Sequence, residues 1–178
     1  MGFFLIQLAT LFVAPIIHTF LDRKPNRRTR YRIVELWLLW WLAGGGFWLM
    51  FGGLGHTGPQ ASEIADEIGF THSPFQWEVG WADIAVGFVG FLTIWRRGDF
   101  MTAAVIVAIV LLYGDAIGHV MQWVEHDNTD PDNIWAIPSD VIGPAISAGL
   151  LVWYRRLQAT SAEGAPAAST AAGATAAG

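Results

Sequence analysis

Five apolar stretches, residues 3–21, 33–54, 75–95, 100–123 and 137–154, constrain this chain more than any other feature. Each approaches the roughly 20 residues that an α-helix needs to cross a hydrocarbon core about 30 Å thick. Lipid cannot satisfy backbone N–H and C=O groups, so such segments cross as helices that make every bond internally. The expected fold is therefore all-α, an integral membrane helical bundle of about five transmembrane helices over residues 1–157. With 53% hydrophobic and 14% charged residues among 178, no separate soluble domain fits. The absence of Cys removes disulfides, thiolate metal sites and thiol nucleophiles.

Charge is segregated along the chain, and its position says more than its sum. All 10 basic residues fall in three places: Arg23, Lys24, Arg27, Arg28, Arg30 and Arg32 after the first stretch, Arg96 and Arg97 after the third, Arg155 and Arg156 after the fifth. By the positive-inside rule these segments are cytoplasmic, with the N-terminus outside and the C-terminus inside a bacterial cytoplasmic (inner) membrane. Acidic residues collect on the other side: Glu63, Asp66 and Glu67 after the second stretch, Glu125, Asp127, Asp130 and Asp132 after the fourth. Trp37, Trp77, Trp95, Trp123 and Trp153 stand near stretch ends, as an aromatic belt requires. The first stretch has its basic cluster after the apolar run and none before it, so it reads as a retained helix.

Gly44, Gly45 and Gly46 should bend the second helix or let another backbone approach it closely. Residues 62–68 predict a short surface helix ended by Gly69. Residues 158–178, nearly all Ala, Gly, Ser, Thr and Pro, offer too little apolar surface to offset their ordering entropy and are expected to be a disordered cytoplasmic tail.

Ionisable groups at membrane depth cost at least about 2.5 kcal/mol for Asp at a helix centre, so they need partners or a task. Here Asp83 and Asp115 lie at similar depths, roughly 9 and 12 Å from the outer ends of their helices at 1.5 Å per residue. Asp115, His119, Gln122 and His126 share one helical face, and Gly80, Asp83, Gly87 and Gly90 form a small-residue stripe on the helix before it. Glu78, Asp140 and His56 enter from the same side. Glu78 and Asp83 are five residues apart and point in different directions around the helix.

An Asp and a His one turn apart suit Zn, Fe or Mn, making Asp115, His119 and Glu78 the candidate metal ligands. Asp83, Asp115, His119 and Gln122 are the candidate cofactor- or ligand-binding set. A di-iron bundle would want two Glu-x-x-His motifs, and there are none; a bis-His haem would need His119 with His56. Asp83 and Asp115 could also carry protons in a coupled step. The plainest reading is that Asp115 and His119 hydrogen-bond to neighbouring helices and specify packing. No catalytic residue and no particular cofactor can be named.

The residues Glu63-Ile64, Glu67-Ile68-Gly69-Phe70, Glu78-Val79-Gly80 with Ala82-Asp83 and Gly87, then Gly114-Asp115-Ala116-Ile117-Gly118-His119, carry a resemblance. Over about residues 31–154 the chain resembles a family of small bacterial multi-pass membrane proteins catalogued as a domain of unknown function. It is more loosely similar to four-helix proteins of the DoxX type. The family implies no activity, cofactor or site residue; the DoxX likeness implies an oxidoreductase-associated role, with the first helix a departure from a four-helix plan.

The functional expectation is an uncharacterised membrane protein with a polar, ligand- or cofactor-binding pocket in the outer half, formed by Asp83, Asp115 and His119 with Glu78, Gln122 and Asp140, accessory to a membrane complex. The alternatives are a small proton-coupled transporter or channel and a metal-dependent membrane oxidoreductase, so whether it is an enzyme stays open. The absence of an internal inverted repeat counts against a transporter. Expected partners are the lipid bilayer and either other membrane subunits or a second copy of the chain, with no nucleic acid; anionic headgroups suit the basic loop.

Overall fold

A computed structural model describes residues 2–163, and the elements among them are helical. In chain order they are α1 (Gly2–Leu21), α2 (Arg30–Leu39), a π-helical turn (Trp40–Gly44), α3 (Gly45–Thr57), α4 (Ala61–Glu67), α5 (Phe75–Leu92), α6 (Asp99–His126) and α7 (Pro131–Glu163). The Thr29 hydroxyl caps α2 by accepting from the Arg32 N–H at 3.2 Å. The short helix expected over residues 62–68 is α4, and Gly69 turns the chain after it at φ +70°. α7 starts at Pro131, six residues before the expected fifth stretch, and runs six residues into the expected tail; residues 164–178 lie outside the described residues.

Among the described residues four helices are long and apolar enough to cross a membrane: Gly2–Leu21, the continuous Arg30–Thr57, Asp99–His126 and Pro131–Thr160. α5, expected as the third span, is not among these four. It is 18 residues long, and Gln76, Glu78, Asp83 and three glycines reduce its hydropathy. Large apolar side chains such as Phe12, Ile17, Phe88, Val110 and Ile117 face outward, the reverse of a water-soluble bundle and consistent with a lipid environment.

Glycine decides how α3 and α5 meet. Gly46 and Gly53 lie seven residues apart on α3, and Gly80 and Gly87 seven apart on α5. The helices run antiparallel, so Gly46 faces the carbonyl of Gly87 and Gly53 that of Gly80. A Cβ on Gly80 would lie 2.7 Å from the Gly53 oxygen, and one on Gly90 2.6 Å from that of Leu42. Only glycine permits backbones this close. The stripe Gly80, Asp83, Gly87 and Gly90 is the buried face of α5. Of the two outcomes expected at residues 44–46, the close approach is seen at Gly46, and a π-helical turn over Trp40–Gly44 stands just ahead of Gly45.

Around the bundle α1 packs on α3 and α7, α3 on α5, α5 on α6, and α6 on α7, closing a ring. At the end with the basic connections α2 also packs on α7 and fills the centre. There Val34, Leu38 and Leu42 interdigitate with Met101, Ala104 and Val105 of α6 and with Leu151 and Tyr154 of α7. In lipid such packing is favoured by dispersion rather than by exclusion of water. At the acidic end nothing corresponds to α2, and the ring stays hollow.

Candidate functional site

The hollow is a cavity of about 460 Å³ walled by all the long helices. α5 contributes Asp83, whose place follows from the glycine contact: a Cβ on Gly53 would lie 2.9 Å from the Asp83 Cβ, so the bare α3 backbone leaves room for this side chain. Asp83 is 7% exposed. α6 contributes Asp115 and His119, and α7 contributes Asp140 and Ser147, all on the wall. Three carboxylates from three helices thus face one space and lie within reach of each other's charge. Among the described residues, no Lys or Arg lines the cavity. None of the three carboxylates is joined to another described residue by a hydrogen bond or ion pair, in contrast to His119.

His119 is held by a residue the sequence did not single out. Its Nδ1 lies 2.7 Å from the Oδ1 of Asn133, which is completely buried near the start of α7. The Asn133 amide nitrogen donates to the carbonyls of His119 and Asn128, at 3.3 and 3.2 Å. Asn128 in turn donates to the Ile68 carbonyl at 2.7 Å, and the Phe70 ring lies 5.5 Å from the His119 imidazole. These contacts lay the α4–α5 connection across the acidic end of the cavity. His56, on the same wall, faces the Gln76 amide, which donates to the Ala61 carbonyl.

The expected set is therefore divided. Asp83, Asp115, His119 and Asp140 come together. Gln122 shares the helical face of Asp115 but lies beyond the Phe70 lid, with His126, beside a separate shallow pocket. Glu78 is exposed and is not on the cavity wall, because the five-residue step from Asp83 turns it away from the interior. Among the described residues, no group of three His, Asp or Glu side chains is placed to hold a metal ion. Trp41, Gln7 and Ser139 were also missed; they read as ordinary interior or amphipathic positions until the ring closes.

The basic end holds a second buried polar cluster. Arg32 donates from Nε to Asp22 at 2.7 Å and from NH1 to Glu35 at 2.5 Å, with the Arg32 and Asp22 side chains 6% exposed. The Arg32 guanidinium beside Asp22 holds its carboxyl below the usual carboxylate range. The Tyr31 and Tyr154 hydroxyls are 2.9 Å apart with stacked rings. Buried polarity is thus not confined to the acidic half.

Comparison with curated proteins and with solved structures returned no match. A family model matches residues 1–160, so the likeness that the sequence motifs carried over residues 31–154 extends through α1: the chain belongs to the family of unknown function DUF6790.

Proposed function

We propose that this chain is a five-span protein of the bacterial inner membrane, N-terminus outside and C-terminus cytoplasmic, whose acidic-end cavity opens outward and binds a small ligand. The observation that carries the reading is three carboxylates around one cavity with no Lys or Arg among the described residues of its wall. Such groups are costly at membrane depth unless they serve a ligand. The cavity volume falls within the roughly 300–1,000 Å³ of small-molecule sites. α5 counts as the fifth span on register: it runs antiparallel to α3 with Gly80 and Gly87 level with Gly53 and Gly46, so it shares the depth of a helix apolar enough to cross.

An accessory role in a membrane complex is the same reading with a protein neighbour added. A transporter would need a route through the basic half, where Val34, Leu38, Leu42, Met101 and Val105 are packed together. A metal-dependent oxidoreductase would need a third ligand beside Asp115 and His119.

The lack of Cys makes a direct test available. Ser139→Cys on the cavity wall should react in intact cells with a membrane-impermeant maleimide, and a reporter fused after Arg156 should be active only in its cytoplasmic form. A Ser139→Cys protein that labels only after the membrane is opened from the cytoplasmic side would overturn the orientation. One that never labels would overturn the outward-opening pocket.

A further inference from the structure

The cavity's carboxylates have no Lys or Arg beside them on the wall among the described residues. Asp83, Asp115 and Asp140 are acceptors when ionised. His119 shares the wall, held by Asn133, which directs its amide nitrogen to two carbonyls and its Oδ1 to the His119 Nδ1. Asp83 is nine-tenths buried with no partner for its carboxylate among the described residues. Trp41, only 4% exposed and on the same wall, has an indole N–H without a partner. Buried polar groups are normally satisfied: the Trp41 N–H calls for an acceptor, and the three carboxylates, with no Lys or Arg among the described residues of the wall, call for positive charge. The remaining wall includes Phe3, Leu8, Trp48 and Leu112, an apolar and aromatic surface that suits a hydrocarbon body and the face of an organic cation.

We propose that the ligand of this cavity is a small organic cation, a protonated primary or secondary amine on an apolar body, with its ammonium among Asp83, Asp115 and Asp140. The inference rests on the pocket reading above and names its chemistry. An anion finds no Lys or Arg among the described residues of the wall, only the imidazoles of His56 and His119 in the company of three carboxylates. A bare metal ion finds no three-ligand cluster among the described residues, and the space is larger than it needs. An ammonium of three donors on an apolar stem matches both parts of the wall.

Three compounds sharing one skeleton separate charge from shape: 4-phenylbutylamine, 4-phenylbutan-1-ol and 4-phenylbutyrate, each titrated against the purified full-length protein in detergent with the unfolding midpoint as readout. The amine alone should raise the midpoint saturably, and Asp83→Asn should weaken its apparent affinity about tenfold or more while remaining folded. An equal rise with the alcohol or the acid overturns the cationic class and leaves the pocket standing. An equal rise with sodium or calcium chloride alone replaces the organic cation with an inorganic one. No rise with the amine, in protein whose Ser139→Cys variant labels from outside, also overturns the cationic class; no rise together with no labelling overturns the pocket as well.

Discussion

The His119 Nδ1 and the Asn133 Oδ1 lie 2.7 Å apart, joining the acidic end of α6 to the first turn of α7. Asn133 also binds the carbonyl of the same histidine and that of Asn128, so one side chain gathers two helices and the connection between them. It orients the imidazole and holds the cavity's acidic rim. Asn133→Ala removes the partner of the His119 ring nitrogen and of the Asn128 carbonyl and leaves a void at a fully buried position. At about 1–3 kcal/mol for each buried group left unsatisfied, the variant should lose at least about 2 kcal/mol of stability in detergent unfolding. A loss below about 0.5 kcal/mol would mean that water replaces the amide and that the rim is open.

Replacing Asp83 or Asp140 by Asn should raise stability, the opposite of the usual effect of changing a buried polar residue. Neither carboxylate has a partner among the described residues to lose, and the amide removes the burden of a charge at membrane depth, worth about 1–3 kcal/mol. Glu78→Gln, at an exposed position, should stay within about 0.5 kcal/mol of the parent. Marked destabilisation by Asp83→Asn would show that the carboxylate has a structural task.

The glycines divide by what a side chain would meet. Gly53→Ala and Gly80→Ala drive a methyl into the opposing backbone and should cost several kcal/mol or prevent assembly, since neither helix can yield locally. Gly149 has no atom within 4 Å of its Cβ position, and Gly149→Ala should gain up to about 1 kcal/mol from helix propensity. Equal effects at the three positions, measured by thermal unfolding, would refute the glycine interface.

The ion pairs of Arg32 and of Arg155 at the basic end should behave unequally. Arg32→Met leaves Asp22 and Glu35 enclosed without their counter-charge and should lower the unfolding midpoint markedly. Arg155→Met removes a pair whose Asp99 is fully exposed and should cost no more than about 1 kcal/mol. The Asp22 carboxyl titrates below its unfolded value, so its stabilisation is complete above the unfolded pKa of about 3.9 and is lost as pH falls through the folded one. The midpoint difference between parent and Arg32→Met should therefore hold from pH 7 to about pH 4 and narrow below it. A difference unchanged at pH 3 would show that Asp22 is not the partner that matters.

Much of the site was legible because membrane depth makes polar residues conspicuous. Asp83 and Asp115 stood out as charges in apolar stretches, and the Gly80 to Gly90 stripe showed which face of α5 is buried. Gln122 went astray because helical spacing records a face but not where a neighbour's lid cuts across it. Asn133 was illegible because it sits among Asp and Asn residues that read as a surface loop, until α7 begins at Pro131 and buries it. Arg32 read as one more charge in a basic loop, and only α1 and α2 folding together bring Asp22 to it.

Length, hydropathy and charge order are properties of one dimension, and the sequence by itself determined what depends on them: an all-helical chain, its long apolar segments, and an acidic and a basic end. Which polar groups meet was decided by the tertiary structure alone. Asn133 reaches His119 across 14 residues and Tyr31 reaches Tyr154 across 123, because glycine contacts and the π-helical turn set the rotation and depth of each helix against the next. That register leaves a hollow at the acidic end and a packed core at the other, and no periodicity within a single helix encodes it.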